Sequence, residues 1–559
     1  MNKIIFNQRI FAYFSARIFH MSIRDFLACV VLSAVSALDG YGQISEFPFQ
    51  VSLVPVTIPN LPGLHSYTIA QHNGKWLIIG GRKDGIHARQ PFNSFPASQS
   101  NTDIFVIDVA NGQFWTASLN VLPTGLREQL QSTNMNFYQD GDTLYIIGGY
   151  GYSASANNHI TYPYLTTVQV SSLIQSIVNN QSIVPYFKQI QDTIFQVTGG
   201  HLKKINDLFF LVGGHTFTGR YNPMGNPTFT QQYTNQIRKF KINNSANQVS
   251  YSDLSITTDP VHLRRRDYNL LPQILPNGEQ GLLISAGVFQ LNADLPFLHP
   301  VEITYSSYQP ITGFSQYLSH YHSPVVCMYD SVKKMMHSLF FGGISQYYYQ
   351  NSLLIKDDQV PFVSTISRLQ KDSAGNLTEY VMPVQMPGLK GAGAEFILNL
   401  SIPHFSNKVI KLNEISQGAF LAGYIYGGIS SPTLNPFSAN QTNTTSADAT
   451  IYEVWITNST TSNSEFKLDG KNPYDIKVFP NPATGDFSFL FDIEKPTKIS
   501  YILTDGSGKL LKRSVNQLFQ PGQHSIRISQ DNSISTGVVH LTVVFDDLYY
   551  ATQKITINR

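Results

Sequence analysis

One short pattern recurs along the 559 residues: an apolar run closed by paired small residues. It appears as WLIIGG (76–81), LYIIGG (144–149), LFFLVGG (208–214), LLISAG (282–287), SLFFGG (338–343) and GYIYGG (423–428). The final glycines lie 68, 65, 73, 56 and 85 residues apart. Self-similarity at such intervals fixes the architecture ahead of any residue-level reading, and it excludes a doubly wound sheet or a single barrel. Each run is short and rich in β-branched or aromatic residues, so it reads as a buried strand rather than a helix. The glycines behind it permit a close backbone approach and a sharp exit. One radial unit, used about six times, is the expectation.

A second strand-like segment precedes most copies: HSYTIAQ (65–71), TNMNFYQ (133–139), FQVTGGHL (195–202), YNLLPQIL (268–275) and SPVVCMYD (323–330). In the clearest copy, TDIFVIDVANGQFWTASL (102–119) adds two alternating strands around an Asn-Gly turn. Strand, strand-Gly-Gly, long loop, strand, turn, strand is one four-stranded propeller blade. Third and fourth strands are hard to place in the second to fifth copies. The pattern resembles the kelch repeat, in which Arg or His opens the first strand, Gly-Gly ends the second and an aromatic residue marks the fourth. Arg127, Arg265 and His320 lie near the first of these positions, and Trp115 at the last. The fold class expected is therefore all-β: a kelch-type propeller, best counted as six blades, over residues 43–458. The strand FQVSLVPV (49–56) lacks a partner of its own, while IYEVWI (451–456) runs into a polar stretch. Joining the two would close the ring and remove an unpaired edge.

Two further regions frame the propeller. Residues 1–42 read as a leader. From Met21 the order is Arg24, an apolar stretch over 26–38 and small residues to Gly42, the order of a secretory signal peptide. Translation is expected to start at Met21. Cleavage near Gly42–Gln43, or alternatively at Ala37, would leave Cys327 as the sole thiol, so no internal disulfide is expected. Residues 459–472, rich in Ser, Thr and Asn, read as a linker. Residues 473–559 alternate through about seven strands and suit a small Ig-like β-sandwich. VFPNPATGDF (478–487), the LTDGSGKLL hairpin, GQHSIRI and a closing KITI strand resemble the type A C-terminal sorting domain of Bacteroidetes type IX secretion cargo. That resemblance implies export by the type IX machinery acting through 473–559, to a secreted or outer-membrane-surface location. Gly537-Val538-Val539-His540 stands where that family often has Gly-x-Tyr.

The bulk composition narrows the partners. Lys and Arg number 38 against 36 Asp and Glu, and charged residues make up only 13% of the chain. No basic stripe exists beyond Arg264-Arg265-Arg266, so nucleic acid is not an expected partner. No apolar stretch after the leader is long enough to span a membrane.

In a propeller the loops between second and third strands share one face of the disk. Here they are long, at about 82–101, 150–163, 215–234, 288–299, 344–362 and 429–449, and they carry many aromatic residues among Asn, Gln and Ser. Tyr150, Tyr152, His159, Tyr221, Tyr347 and Tyr348 are candidate contacts there for a glycan or protein ligand, through stacking and adaptable hydrogen bonds. Arg82, Arg127, Arg220 and Arg265 are candidates for an anionic group near the central channel. Glu128, beside Arg127, is the nearest acid. The competing reading for the aromatics is loop packing, and for the arginines it is bridging of blades through backbone carbonyls. His320-Tyr321-His322-Ser323 resembles a segment of the copper oxidases of the galactose oxidase type. Their second tyrosine and histidine contexts are missing, so neither a metal nor another cofactor is expected. No GxSxG, HExxH or phosphate-loop signature occurs. A non-catalytic binding propeller is thus the leading expectation. The alternative is a carbohydrate-active enzyme, an epimerase similar to the sialic-acid mutarotases or, less favoured, a copper oxidase.

Overall fold

The computed structural model describes residues 49–458 apart from 224–227, 351–352 and 417, then 466–468 and 474–558 apart from 506–509, 516, 532–533 and 546–548. The leader, Cys29 and most of the 505–508 turn lie outside the described residues. The described chain forms a β-propeller of six antiparallel blades. Blade 1 comprises Thr68–His72, Lys75–Ile79, Asp103–Asp108 and Gln113–Ser118. Blade 2 comprises Asn136–Asp140, Thr143–Ile147, Tyr164–Gln169 and Phe187–Gln191, and blade 3 comprises His201–Ile205, Leu208–Val212, Gln236–Asn244 and Val249–Thr258. Blade 4 comprises Asn269–Ile274, Gln280–Ser285, Val301–Ile303 and Tyr308–Pro310. Blade 5 comprises Val325–Asp330, Met335–Ile344, Phe362–Lys371 and Leu377–Gln385. Blade 6 takes Glu395–Leu398, Ala419–Tyr426 and Ile451–Asn458, and its outer strand is Phe49–Val56 from the start of the described chain. Register runs from Phe49 opposite Asn458 to Val56 opposite Ile451, so the expected closure by residues 49–56 holds.

The paired small residues prove to be the joints between blades. In five of the six pairs the second member donates its amide to a carbonyl just before the next inner strand: Gly81 to Ser132 (2.9 Å), Gly149 to Val197 (3.0 Å), Gly214 to Arg265 (2.7 Å), Gly287 to His320 (3.0 Å) and Gly428 to Leu64 (2.9 Å). The first members Gly80, Gly148, Gly213, Gly342 and Gly427 all have φ between 60° and 72°. A Cβ on any of them would meet next-blade backbone, as at Val197 O, 1.8 Å from a Cβ on Gly148. Apolar positions of the second strands fill the spaces between blades. Leu77, Leu144 and Ile146 share one buried cluster, for example, and Phe210, Leu282 and Ile284 another.

A second device ties the inner strands together. Ser66 donates to Gly393 (2.8 Å), Asn134 to Ser66 (3.1 Å), Gly199 to Asn134 (3.2 Å), Asp267 to Gly199 (2.8 Å), His322 to Asp267 (2.8 Å) and Gly393 to His322 (3.0 Å). These six backbone hydrogen bonds form a closed ring around the axis, one residue per blade. All but His322 hold a positive φ. Glycine, Asn, Asp and Ser tolerate that conformation far better than β-branched residues do.

Several expectations are corrected. The inner strand of blade 3 does not begin at residue 195. Thr193–Phe195 is a 3-10 turn and Gly199 (φ 65°) belongs to the axial ring, so the strand starts at His201. Blade 2 does not join its outer strands by a tight hairpin. Val170–Val178 forms a helix whose Val170, Leu173, Ile174 and Ile177 enter the cluster between blades 1 and 2, the spacing of an amphipathic helix. Three residues of the expected linker, Phe466–Leu468, pair with the outer strand of blade 5. The tail forms a three-stranded and a five-stranded sheet around Phe487, Phe489, Leu541 and Ile555. Gln517–Phe519 is the strand not anticipated there.

Candidate functional site

The inner strands alternate as strands must, with a consequence for the axis. Leu202 turns into the core between blades 2 and 3, whereas Ala70 and Leu270 belong to core clusters and also border the axis. Gln71, Gln139, His201, Lys203, Asn269, Cys327 and Glu395 bring polar groups to a cavity of about 160 Å³ contributed to by all six blades. A smaller recess of about 30 Å³ lies next to it against Ser66, Asn134, Asp267 and His322, at the ring of backbone hydrogen bonds. At the other end, the 399–418 connection of blade 6 brings Asn407 and Lys408 to the wall. The Asn407 amide donates to the Gln273 carbonyl (3.2 Å) and so anchors that segment under blade 4.

Three titratable groups from blades 3, 5 and 6 meet across the channel. His322 Nε2 lies 3.3 Å from Glu395 Oε1, and the His201 and His322 rings are 5.2 Å apart. His201 Nε2 bonds the Tyr268 carbonyl (2.5 Å). Burial pushes the Glu395 carboxyl up to about 8, against the pull of Lys203. Burial, helped by Lys203, brings His322 down to about 4. At neutral pH the pair is therefore uncharged, a carboxyl beside an imidazole that can exchange a proton. Burial also lowers Lys203 and brings Lys408 to about 8, and it raises the Cys327 thiol to about 11.

The same shifts set a pH window for stability. His87, His159, His299, His320 and His322 are each pulled to about 4, chiefly by burial. The unfolded chain binds protons on them from 6.5 downward that the folded chain refuses, so stability falls as pH drops from 6.5 to 4. Glu379 and Glu395 are raised to about 8 from 4.5, chiefly by burial, so the folded chain holds their protons longer. That stability is lost as pH rises from 4.5 to 8. Five histidines outweigh two carboxyls below 6.5, and only the carboxyls act above it. Thermal melting scanned between pH 4 and 8 is expected to show its maximum near pH 6.5.

The long-loop face is organised differently from the expectation. His87 stacks on Phe95 (4.6 Å) and meets Tyr221 (5.0 Å) and Phe437 (5.2 Å) edge-on. Tyr150 packs on Phe95 and Phe217 and donates to the Gly219 carbonyl (2.6 Å). His159 is buried, with Nε2 2.7 Å from the Phe95 carbonyl. Loops of blades 1, 2, 3 and 6 thus share one continuous set of ring contacts. These aromatics are bound to one another, as the packing alternative held. Tyr347 packs separately on Tyr317 and His320, Tyr348 is half-buried, and Tyr152 is exposed with its hydroxyl on Asn157.

The four arginines do not converge on the channel. Arg82 forms a two-pronged bond with Asp84 (2.8 and 2.6 Å) beneath Phe95. Arg220 reaches His159 (3.3 Å) and the Phe92 carbonyl (3.0 Å), so these two come together around the blade 1 loop. Arg265 is fully buried and donates to the carbonyls of His262, Ala286 and His299. Buried donors need such partners, and here all three lie in the approach to blade 4 and in its own loop, so Arg265 braces that blade rather than bridging two. Arg127 does not open a strand: it lies on the helix Thr124–Leu130. Neighbouring Glu128 accepts from Ser153 Oγ (2.7 Å) and the Ala154 amide (3.0 Å), which makes it a clamp on that turn. His320 has both nitrogens committed, to the Gln316 carbonyl and the Gln346 amide (3.0 Å each).

Reading the sequence for ligands left out His201, Lys203, Glu395 and Lys408. Extending the alternation of HLKKI from Leu202 would have placed His201 and Lys203 on the axis. Glu395 opens a four-residue strand too short to show a period, and Lys408 lies in an insertion outside the repeat.

No protein-family model matches the chain, and no curated protein matches it. Among solved structures, the one described as "Structure of YjhT" aligns with 74% of this chain and 99% of its own, at 11% identity and a TM-score of 0.40.

Proposed function

We propose that the protein is an exported propeller that binds a small polar ligand, such as a glycan-derived sugar, in its axial cavity. The observation carrying this reading is the cavity itself, into which six inner strands direct amide, imidazole, ammonium and carboxyl groups. Convergent polar groups in a concave apolar wall are the usual form of a small-molecule site. A volume of about 160 Å³ admits on the order of five to ten waters or a molecule of similar bulk. The loop-face aromatics, engaged with one another, support a site there less well. Export rests on the leader and on the resemblance of residues 473–559 to type IX sorting domains. Among the described residues no helix is long and apolar enough to cross a membrane.

Ligand-observed NMR with pooled monosaccharides, amino sugars and sugar acids tests the reading. Phe137 borders both recesses, and Phe137→Trp is expected to abolish binding by filling the cavity. Binding that survives Phe137→Trp and is lost on replacing Phe92, 71% exposed on the loop face, would move the site there and overturn the proposal.

A second reading has its own observation. The Glu395–His322 contact faces the cavity with a carboxyl that titrates near neutrality, the property of a general acid or base. A sugar epimerase would use such a pair. In that case Glu395→Gln should remove turnover while leaving ligand binding within a few-fold of the parent.

A further inference from the structure

Several cations in the body of this protein are paired with carboxylates. Lys75 meets Asp108 (2.8 Å), Lys390 meets Asp448 (2.8 Å), Arg82 meets Asp84, and buried Lys371 meets Glu302. Two lysines on the cavity wall are not. Lys203 comes from the inner strand of blade 3 and Lys408 from the blade 6 insertion. Among the described residues neither has an ion-pair or hydrogen-bond partner. They are close enough for Lys203 to lower Lys408. Bringing two ammonium groups together in a half-buried cavity is unfavourable. A fold keeps such an arrangement where something else supplies the opposite charge, because functional sites are where stability rules are broken.

The other charged groups facing the cavity do not supply it. Glu395 favours its neutral form at neutral pH, and His201 and His322 are held neutral. Asp267 is taken by Arg266. The wall therefore carries net positive charge at its Lys408 end, among the amides of Gln71, Gln139 and Asn407.

The geometry points to a small organic anion as the ligand of the axial cavity, its carboxylate or phosphate group held between Lys203 and Lys408. This rests on the channel reading above and specifies its ligand class. Two point charges with rotatable donors suit either anionic group, since neither requires the fixed fork of an arginine. Affinity should fall as pH rises past about 8, where Glu395 gains its charge and Lys408 loses its own.

The test uses the full chain and three probes: D-glucuronate, its uncharged parent D-glucose, and inorganic phosphate, followed by ligand-observed NMR and calorimetry. Glucuronate is expected to bind at least tenfold more tightly than glucose and to be displaced by phosphate. Lys203→Met and Lys408→Met should each weaken it at least tenfold. Both variants should melt at or above the parent temperature, because each removes an unpaired charge. Lysines kept for structure would instead lower the melting temperature, and that result overturns the proposal. Binding of phosphate without glucuronate assigns a phosphate group to the lysines. If glucose binds as well as glucuronate, and Phe137→Trp abolishes both, the charge argument fails while the channel reading stands. If no probe enters the parent channel, both fail.

Discussion

A chain beginning at residue 57 is expected to aggregate rather than fold. Phe49–Val56 pairs with Ile451–Asn458 through eight register positions, and it is the outermost strand of blade 6. Phe49 and Val51 are buried there. Removing two such side chains from a core costs about 1.5–3 kcal/mol each. Each ladder hydrogen bond lost adds roughly 0.5–1.5 kcal/mol. The sum is comparable with the ~5–15 kcal/mol that holds an ordinary domain together. Deletion also exposes the edge of Ile451–Asn458, a strand of Ile, Val, Tyr and Trp that offers unpaired backbone to a second copy. Size-exclusion chromatography should show loss of soluble monomer. The control is Val54→Lys, which alters a 45% exposed position on the same strand and should leave yield and melting within a few degrees of the parent. A soluble monomer of the shortened chain that melts with the parent would mean that the ring needs no closing strand.

The sequence made the repeat legible because its signal is local. An apolar run and two small residues are adjacent in the chain, and the physical demand on them, a positive φ against the next blade, acts at those positions. Closure was legible for a related reason: a strand without a partner at each end of the repeat array has one economical solution. The axial site was harder to see because its parts are remote from one another. His201, His322 and Glu395 lie in three blades, and although His322 stands in a segment that drew notice for another reason, nothing local joins it to the other two. The loop-face aromatics present the opposite case. Their enrichment is conspicuous locally, but His87, Phe95, Tyr221 and Phe437 satisfy each other across three blades, which composition does not reveal. The helix Val170–Val178 was legible in principle from Val170, Leu173, Ile174 and Ile177, but it occupies a place where the repeat led one to expect strands.

Gly148→Ala is expected to cost several kcal/mol and to leave little folded protein, whereas Gly141→Ala should cost about 1 kcal/mol. Both glycines have positive φ, 68° and 55°. An alanine pays a similar conformational penalty of roughly 1 kcal/mol at either position. Their surroundings differ. Nothing lies within 4 Å of a Cβ on Gly141, while one on Gly148 would sit 1.8 Å from the Val197 carbonyl oxygen. That oxygen also accepts from the Gly149 amide, so relieving the clash pulls apart the joint between blades 2 and 3. Overpacking against backbone adds roughly 1–3 kcal/mol or more to the conformational term. The protein contains its own control. In blade 4 the corresponding residue is Ala286, buried with a φ of 49°, and the joint to blade 5 still forms through Gly287 and His320. A methyl group at positive φ is therefore tolerable where the neighbouring blade leaves room. Ala286→Gly should change stability by less than about 1 kcal/mol, because the strain it relieves offsets the flexibility it adds to the unfolded chain. Urea melts of the three variants separate the two effects. If Gly148→Ala and Gly141→Ala cost the same, the glycine pairs are needed for their φ alone, and the close approach between blades has no part in their recurrence.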